Sequence, residues 1–367
     1  MLIQAFPNCT CLKNGWKMCT FVAKKQDETM KILVTGASGF IGSFIVEEAL
    51  RRGMDTWAAV RGSSSRQFLN DERIHFIELD LSNQKQIEQQ LHDHQFDYVV
   101  HAAGVTKCLD SKDFYRINAD GTKNLVRALI ALRMPLKRFV FISSLSVFGA
   151  IREKKPYEEI KATDTPHPNT EYGKSKLVAE RWLDHSLEVR MDDTYVFPYV
   201  ILRPTGVYGP RERDYFLMAK SIKQHSDFAV GFKRQDITFV YVLDVVQAVF
   251  LACEKGQTGK AYFLSDGEVY QSSTFSDLIR RELGNPWWIR VTAPIWVLRI
   301  VTAIGDKIGH LTDKISALNN DKYHILKQRN WRCDIEPARR ELGYHPEYTL
   351  EKGVPLTIQW YKDNGWL

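Results

Sequence analysis

The stretch that most constrains this chain is Lys31-Ile32-Leu33-Val34-Thr35-Gly36-Ala37-Ser38-Gly39-Phe40-Ile41-Gly42, where a short apolar run passes through spaced glycines into helical spacing. Ile41, Phe44, Ile45 and Ala49 follow at intervals of three and four, the spacing of one helix face. A strand that turns straight into a helix uses glycine to make the tight turn, to let backbone approach a pyrophosphate, and to let the helix pack closely. The helix start then offers free amides and the positive end of its dipole to an anion. Gly36, Ser38, Gly39, Phe40, Ile41 and Gly42 are therefore the expected cradle of a dinucleotide. An ordinary glycine-rich turn is the competing reading, and the strand before and helix after weigh against it.

Apolar runs recur at Thr56 to Val60, Tyr98 to His101, Arg138 to Ile142 and Val200 to Leu202, separated by amphipathic stretches. That alternation predicts an α/β fold, a Rossmann-type doubly wound parallel sheet with a smaller C-terminal α/β substrate lobe. The expected division gives residues 30–203 to the dinucleotide-binding domain, with 238–262 returning to it, and 204–237 and 263–367 to the substrate lobe. Residues 1–29 show no sustained period, and they are expected to be a disordered leader or to lie upstream of a start at Met30. Intact-mass analysis of protein from its native source checks this, and a mass that includes Met1 would refute it.

The net charge of +6 comes from 50 basic and 44 acidic residues mixed along the chain. Without a block of one sign, nucleic acid is not an expected partner. The six cysteines, Cys9, Cys11, Cys19, Cys108, Cys253 and Cys333, match no zinc-ligand spacing, so no metal is expected and the thiols read as reduced and cytoplasmic.

The end of the second strand selects the dinucleotide, because an acid there would bind the ribose 2′-hydroxyl of NAD and repel the 2′-phosphate of NADP. The local sequence is Val60-Arg61-Gly62-Ser63-Ser64-Ser65-Arg66, with no acid. Arg61 is expected to meet a 2′-phosphate, which makes NADP the expected cofactor with NAD as the alternative. Asp80 and Leu81 fall where an adenine-contacting pair belongs.

Arg138 to Ile142 leads into Ser143-Ser144-Leu145-Ser146, placing hydroxyls at the carboxyl end of a buried strand, where α/β sheets bind ligands. Tyr172 and Lys176 then share a helix face at i and i+4. A phenol titrates near pH 10, so a neighbouring ammonium is expected to favour its ionised form. Ser144 would hydrogen-bond the substrate oxygen, Tyr172 would serve as acid/base, and Lys176 would also hold the cofactor ribose.

With these residues in this order, the chain resembles the extended short-chain dehydrogenase/reductases over residues 30 to 367. Gly36, Gly39 and Gly42 resemble the family's cofactor loop, and His101-Ala102-Ala103-Gly104 its fourth-strand motif, which adds Ala102, Ala103 and Gly104 to the cofactor site. Ser144, Tyr172 and Lys176 resemble its catalytic triad. Asn118 in Asn118-Ala119-Asp120-Gly121-Thr122 resembles the family's helix asparagine, and we expect it to satisfy loop backbone rather than to react. Leu202-Arg203-Pro204 resembles the crossing into the substrate lobe, and Asp244 a later structural motif. The tail around Trp331-Arg332-Cys333-Asp334 and Ala338-Arg339-Arg340-Glu341-Leu342-Gly343-Tyr344 is similar to the 3β-hydroxysteroid and sterol dehydrogenase branch, an ending that many sugar-nucleotide enzymes share, and the resemblance also implies a homodimer.

Local residues narrow the reaction. The family's sugar-nucleotide dehydratases carry Asp-Glu after the catalytic hydroxyl, whereas this chain has Leu145 and Ser146. Residues 287–311 carry Trp287, Trp288, Ile295, Trp296, Leu298, Ile300, Val301, Ile304 and Ile308 but are interrupted by Arg299, Asp306 and Lys307, too short and too charged to cross a bilayer. They fit a core helix, a lid, or a helix lying in a membrane interface. The expectation is an alcohol/ketone oxidoreductase of a hydrophobic small-molecule substrate, cytoplasmic and peripheral to the inner membrane face. The alternative is a sugar-nucleotide epimerase, for which Arg211, Arg213 and Arg234 would hold the diphosphate. A dinucleotide sensor that does no chemistry is a third reading, against which the intact Ser144, Tyr172 and Lys176 count.

Overall fold

The computed structural model describes residues 29–188, 196–312 and 319–367, so the expectation for residues 1–29 lies, but for Thr29, outside the described residues. The strands are β1 (Lys31–Thr35), β2 (Asp55–Val60), β3 (His75–Glu78), β4 (Tyr98–His101), β5 (Arg138–Ile142), β6 (Tyr199–Pro204), β7 (Gly206–Tyr208), β8 (Ser226–Val230), β9 (Phe239–Tyr241), β10 (Lys260–Leu264) and β11 (Ile289–Ala293). Seven form one sheet in the order β3-β2-β1-β4-β5-β6-β10, with every neighbouring pair parallel. Two crossovers run in opposite directions from β1, which opens a crevice between the carboxyl ends of β1 and β4.

The central strands are apolar throughout because both faces are covered. Ile32, Val34, Val140, Ile142, Val200 and Leu202 enter one hydrophobic layer. Leu33, Phe139, Phe141, Tyr199 and Ile201, one residue out of step, enter the other. The edge strand β10 lies outside the expected apolar runs and pairs on one side only, with β6.

A third apolar cluster, including Tyr208, Phe239, Phe275, Leu350, Val354 and Tyr361, forms the core of the smaller lobe. The tail divides differently from expectation. Cys333, Ile335, Ala338, Leu342 and Tyr344 pack into the same layer as Ile32 and Val140, so this part of residues 263–367 belongs to the packing of the large sheet. Among the described residues no helix is long and apolar enough to cross a membrane.

Candidate active site

At the end of β1, Gly36 has φ 67°, and a Cβ there would lie 2.6 Å from the Ala103 amide nitrogen. A Cβ on Gly42 would overlap the Gly36 carbonyl. Both glycines thus let three backbone segments converge, while Gly39 is exposed at the helix start. The helix Phe40–Arg51 has no side-chain cap and no acid in its first turn, leaving its leading amides for an anion. Ser38, Phe40 and Ile41 are partly exposed beside them. This cradle fits a pyrophosphate.

Arg61 is exposed after β2, and its amide donates to Ser64 Oγ at 3.1 Å. Arg66 is turned back over the Phe76 ring at 4.3 Å. The expectation of no acid at this strand end requires correction. Glu78, in register with Val60 across the β2–β3 pair, accepts the Gly62 N–H at 3.1 Å. Parallel pairing brings a carboxylate sixteen residues away to the loop. Asp80 accepts from the Ser82 hydroxyl at 2.7 Å and amide at 2.9 Å, which hold its carboxyl below its usual range, with Arg116 and Arg61 adding to the effect. The Leu81 carbonyl accepts from Asn124 at 3.0 Å.

The β4 end is fixed from below by His101, which is fully buried between Thr35 (2.6 Å, Nδ1) and Thr122 (2.9 Å, Nε2). Thr122 donates its proton to the Asn118 carbonyl at 2.7 Å, so it accepts from Nε2–H, and Nδ1 accepts from Thr35. Burial, with Lys176 adding, pushes the imidazole down to about 3 and keeps it neutral. Above it, Ala102 and Ala103 meet Gly36. Gly104 leaves room for Asn118 and Lys176, each within 3.1 Å of where its Cβ would stand.

Asn118 lies on a wide π turn, Tyr115–Asp120, a form often found at functional sites. Its side chain accepts from Val105 N at 2.8 Å and donates to Val105 O and Ser175 Oγ, both at 3.0 Å. It therefore clips the β4 loop to the Glu171–Glu188 helix.

That helix carries Tyr172 and Lys176 into the same cleft as Ser144. Ser144 caps the short turn Leu145–Val147 by accepting from Ser146 N at 3.1 Å, donates to the Ser146 hydroxyl at 3.1 Å, and lies beside the Tyr172 phenol, whose acidity it favours. Burial pushes the Tyr172 phenol up to about 12 against the pull of Ser144. Lys176, expected to favour its ionised form, is held by a backbone acceptor. Its Nζ donates to the Ile142 carbonyl at 2.9 Å under the Phe141 ring, and burial pushes it down to about 8 against the opposing charge of Glu180. Glu180 is itself held by Arg203 in a buried two-point ion pair at 3.1 and 2.7 Å.

Residues not anticipated from the sequence also build the site. Asp321, on the helix Asn320–Lys327, accepts the Glu171 and Tyr172 amides at 3.0 Å each. Lys107, from the loop after β4, and Lys322, from the helix Asn320–Lys327, converge on Asp214. The one local hint is redundancy in Asn319-Asn320-Asp321. Asn319 already caps its own helix through Lys322 N at 2.9 Å, leaving Asp321 free for another partner.

Of the three arginines assigned to a diphosphate, Arg211 and Arg234 have partners within the chain. Arg211 donates to Ser43 at 2.9 Å and Glu47, stacks on Phe44 and Phe68, and so braces the cofactor helix. Arg234 is paired with Asp236 at 2.7 Å, and Arg213 is exposed at the start of the helix Arg213–Lys223.

A parallel doubly wound sheet with a glycine cradle at its switch point and a Ser-Tyr-Lys cluster across the crevice defines the class of short-chain dehydrogenase/reductases. The model of the NAD dependent epimerase/dehydratase family matches residues 32–265, and the chain belongs to that family of enzymes acting on CH–OH groups. It is 27% identical over 360 residues to a UDP-glucose 4-epimerase of Vibrio cholerae, covering 93% of this chain and 98% of that one. It is 23% identical over 369 residues to a decarboxylating sterol-4-alpha-carboxylate 3-dehydrogenase of Candida albicans, covering 92% and 99%. A dTDP-glucose 4,6-dehydratase from Streptomyces venezuelae, solved with NAD bound, shares the fold at TM-score 0.74 and 20% identity over 92% of this chain and 98% of that one.

Proposed function

We propose that this enzyme moves hydride between NADP and the alcohol or ketone carbon of a hydrophobic, lipid- or steroid-like substrate. The observation that carries the reading is the cluster of Ser144, Tyr172 and Lys176 beside the uncapped helix start, with Leu145 and Ser146 where elimination of water needs an acid and a base. Gly36 to Gly42, Asp80, Leu81 and Ala102 to Gly104 would hold the dinucleotide, whose nicotinamide supplies or accepts hydride when bound. Ser144 and Tyr172 position the substrate oxygen. Tyr172, protonated at neutral pH, donates its proton in the reductive direction, and Lys176 stabilises the phenolate left behind.

Engagement of Arg211 and Arg234 elsewhere supports a substrate without a diphosphate. Arg61 supports NADP and Glu78 opposes it, because a 2′-phosphate must displace the Glu78 carboxylate from the Gly62 amide. The reading includes a homodimer, a cytoplasmic location at the inner membrane face, and a substrate lobe of residues 204–237 and 263–367 less the tail packed on the large sheet. The Vibrio cholerae relative favours a second reading, a sugar-nucleotide epimerase. Mass spectrometry of the co-purifying dinucleotide, with calorimetric titration of NADP and NAD into stripped enzyme, separates the two. Exchangeable NADP with turnover of apolar ketones is expected, and tightly retained NAD would overturn it in favour of the epimerase.

A further inference from the structure

Two neighbouring elements of the smaller lobe are turned inside out. In the β8–β11 pair, Asp227 faces Arg290 in register on the inner side. Arg290 donates to the buried Asp227 and to Asp277 of the helix Thr274–Glu282, each at 2.6 Å, so the ionic face is the one turned to that helix. The outer face presents Phe228 and Val291, also in register, at 69% and 47% exposure, with Ile289 beside them at 62%. Strand alternation normally gives the apolar side to the core.

The helix Ile295–Thr312 repeats the inversion. It buries Leu298 and Thr302, while Trp296, Ile300, Ile304 and Ile308, four residues apart in one stripe, are each more than half exposed. Two further apolar side chains, Phe232 and Trp287, stand out at 77% and 65%. An exposed apolar surface of this extent marks an interaction site rather than ordinary surface.

Charge selects the occupant. The charged residues on the open side of the stripe are Arg299 and Lys307, and Lys233 is exposed directly after Phe232. The acid in the stripe's path, Asp306, is turned inward and accepts the Asn320 amide at 3.1 Å. A second copy docking through the same face by two-fold symmetry would bring these cations toward one another. An anionic membrane surface meets both features, taking the aliphatic stripe into the acyl boundary, the tryptophans at headgroup level and the cations against phosphate.

We propose that residues 226–232 and 287–308 form a seat for an anionic lipid bilayer, on which the helix Ile295–Thr312 lies in the plane of the interface. The seat is coupled to the site through backbone. Asp306 holds Asn320, and the next residue, Asp321, holds the amide of Tyr172. The proposal stands whichever reaction the enzyme performs, because lipid binding is read without turnover.

The test is co-sedimentation of the full chain with vesicles of phosphatidylcholine alone and of phosphatidylcholine mixed with phosphatidylglycerol, across a salt series. The protein should bind the mixed vesicles and release as salt rises. The double variant Ile300→Ser/Ile304→Ser should lose binding by at least about tenfold with unchanged dinucleotide affinity and melting, since both side chains are exposed. Arg299→Glu/Lys307→Glu should abolish the preference for the anionic vesicles. Should either double variant fold poorly, Trp296→Ser reports on the same stripe. Absence of binding to both vesicle types, or equal binding by the Ile300/Ile304 variant, would overturn the proposal. So would light scattering that finds a dimer which those two substitutions dissociate, since the ridge would then belong to a second copy.

Discussion

The β1–β4–β5 centre of the sheet and the β8–β11 ridge draw on the same residue types, yet bury them oppositely. Phe139 and Val140 on β5 are fully enclosed, each against its own helical layer, whereas Phe228 and Val291 stand in solvent. The ridge instead packs an ion pair inward, Asp227 to Arg290. Apolar character alone does not decide what is core. A residue is buried where a second layer exists to cover it, and the ridge has none among the described residues. The enclosed sheet carries the Ser144, Tyr172 and Lys176 cluster at its carboxyl edge, and the ridge carries uncovered apolar surface.

The contrast can be tested at both ends. At the sheet, Tyr172→Phe should lower turnover by roughly 10²–10⁴-fold, the range for loss of a positioned acid, while dinucleotide affinity stays unchanged. Retained activity in a steady-state assay would remove Tyr172 from the mechanism. Next in size, Phe139→Ala should cost about 3–5 kcal/mol in a urea melt, and Ile300→Ser should stay within about 0.5 kcal/mol. Comparable losses would mean that the ridge is core after all.

The pH profile follows from Lys176. Its ammonium is pushed down to about 8, so it carries its charge below that pH and loses it above. The kcat/KM for reduction should therefore fall above about pH 8, approaching tenfold per pH unit, and a profile flat to pH 10 would deny the lysine its role. Asp321→Asn removes the negative charge from the catalytic helix start and leaves one good acceptor for two amides. It should cost about 1–2 kcal/mol of stability and lower kcat without altering dinucleotide affinity, and an unchanged kcat would reduce Asp321 to a structural cap. The smallest effect lies at the loop after β2. Arg61→Asp should weaken NADP relative to NAD, and Glu78→Gln should strengthen it, each by about 1 kcal/mol, near fivefold in calorimetry. An unchanged preference in both would place the 2′ position elsewhere.

Much of the cofactor half was legible because its rules are local. Glycine sterics, the step from strand to helix and the i, i+4 placement of Tyr172 and Lys176 each operate within a few residues, and the parallel sheet follows from apolar runs separated by helices. The helix Ile295–Thr312 was legible as amphipathic, but periodicity does not say which face turns inward.

The chain's own pattern thus determined the doubly wound sheet, the cradle at Gly36 to Gly42, and the presence of a hydroxyl at a strand end with a phenol and an amine on one helix face. Tertiary structure alone decided that Asp321 holds the amide of Tyr172 from 149 residues away, that Glu78 reaches Gly62 across a strand pair, and that Arg211 braces a helix. It also turned the Lys176 ammonium toward the Ile142 carbonyl and left the phenol high. Secondary structure is selected by neighbours in sequence. Partners, burial and acidity are set by neighbours in space, which the path of the chain brings together.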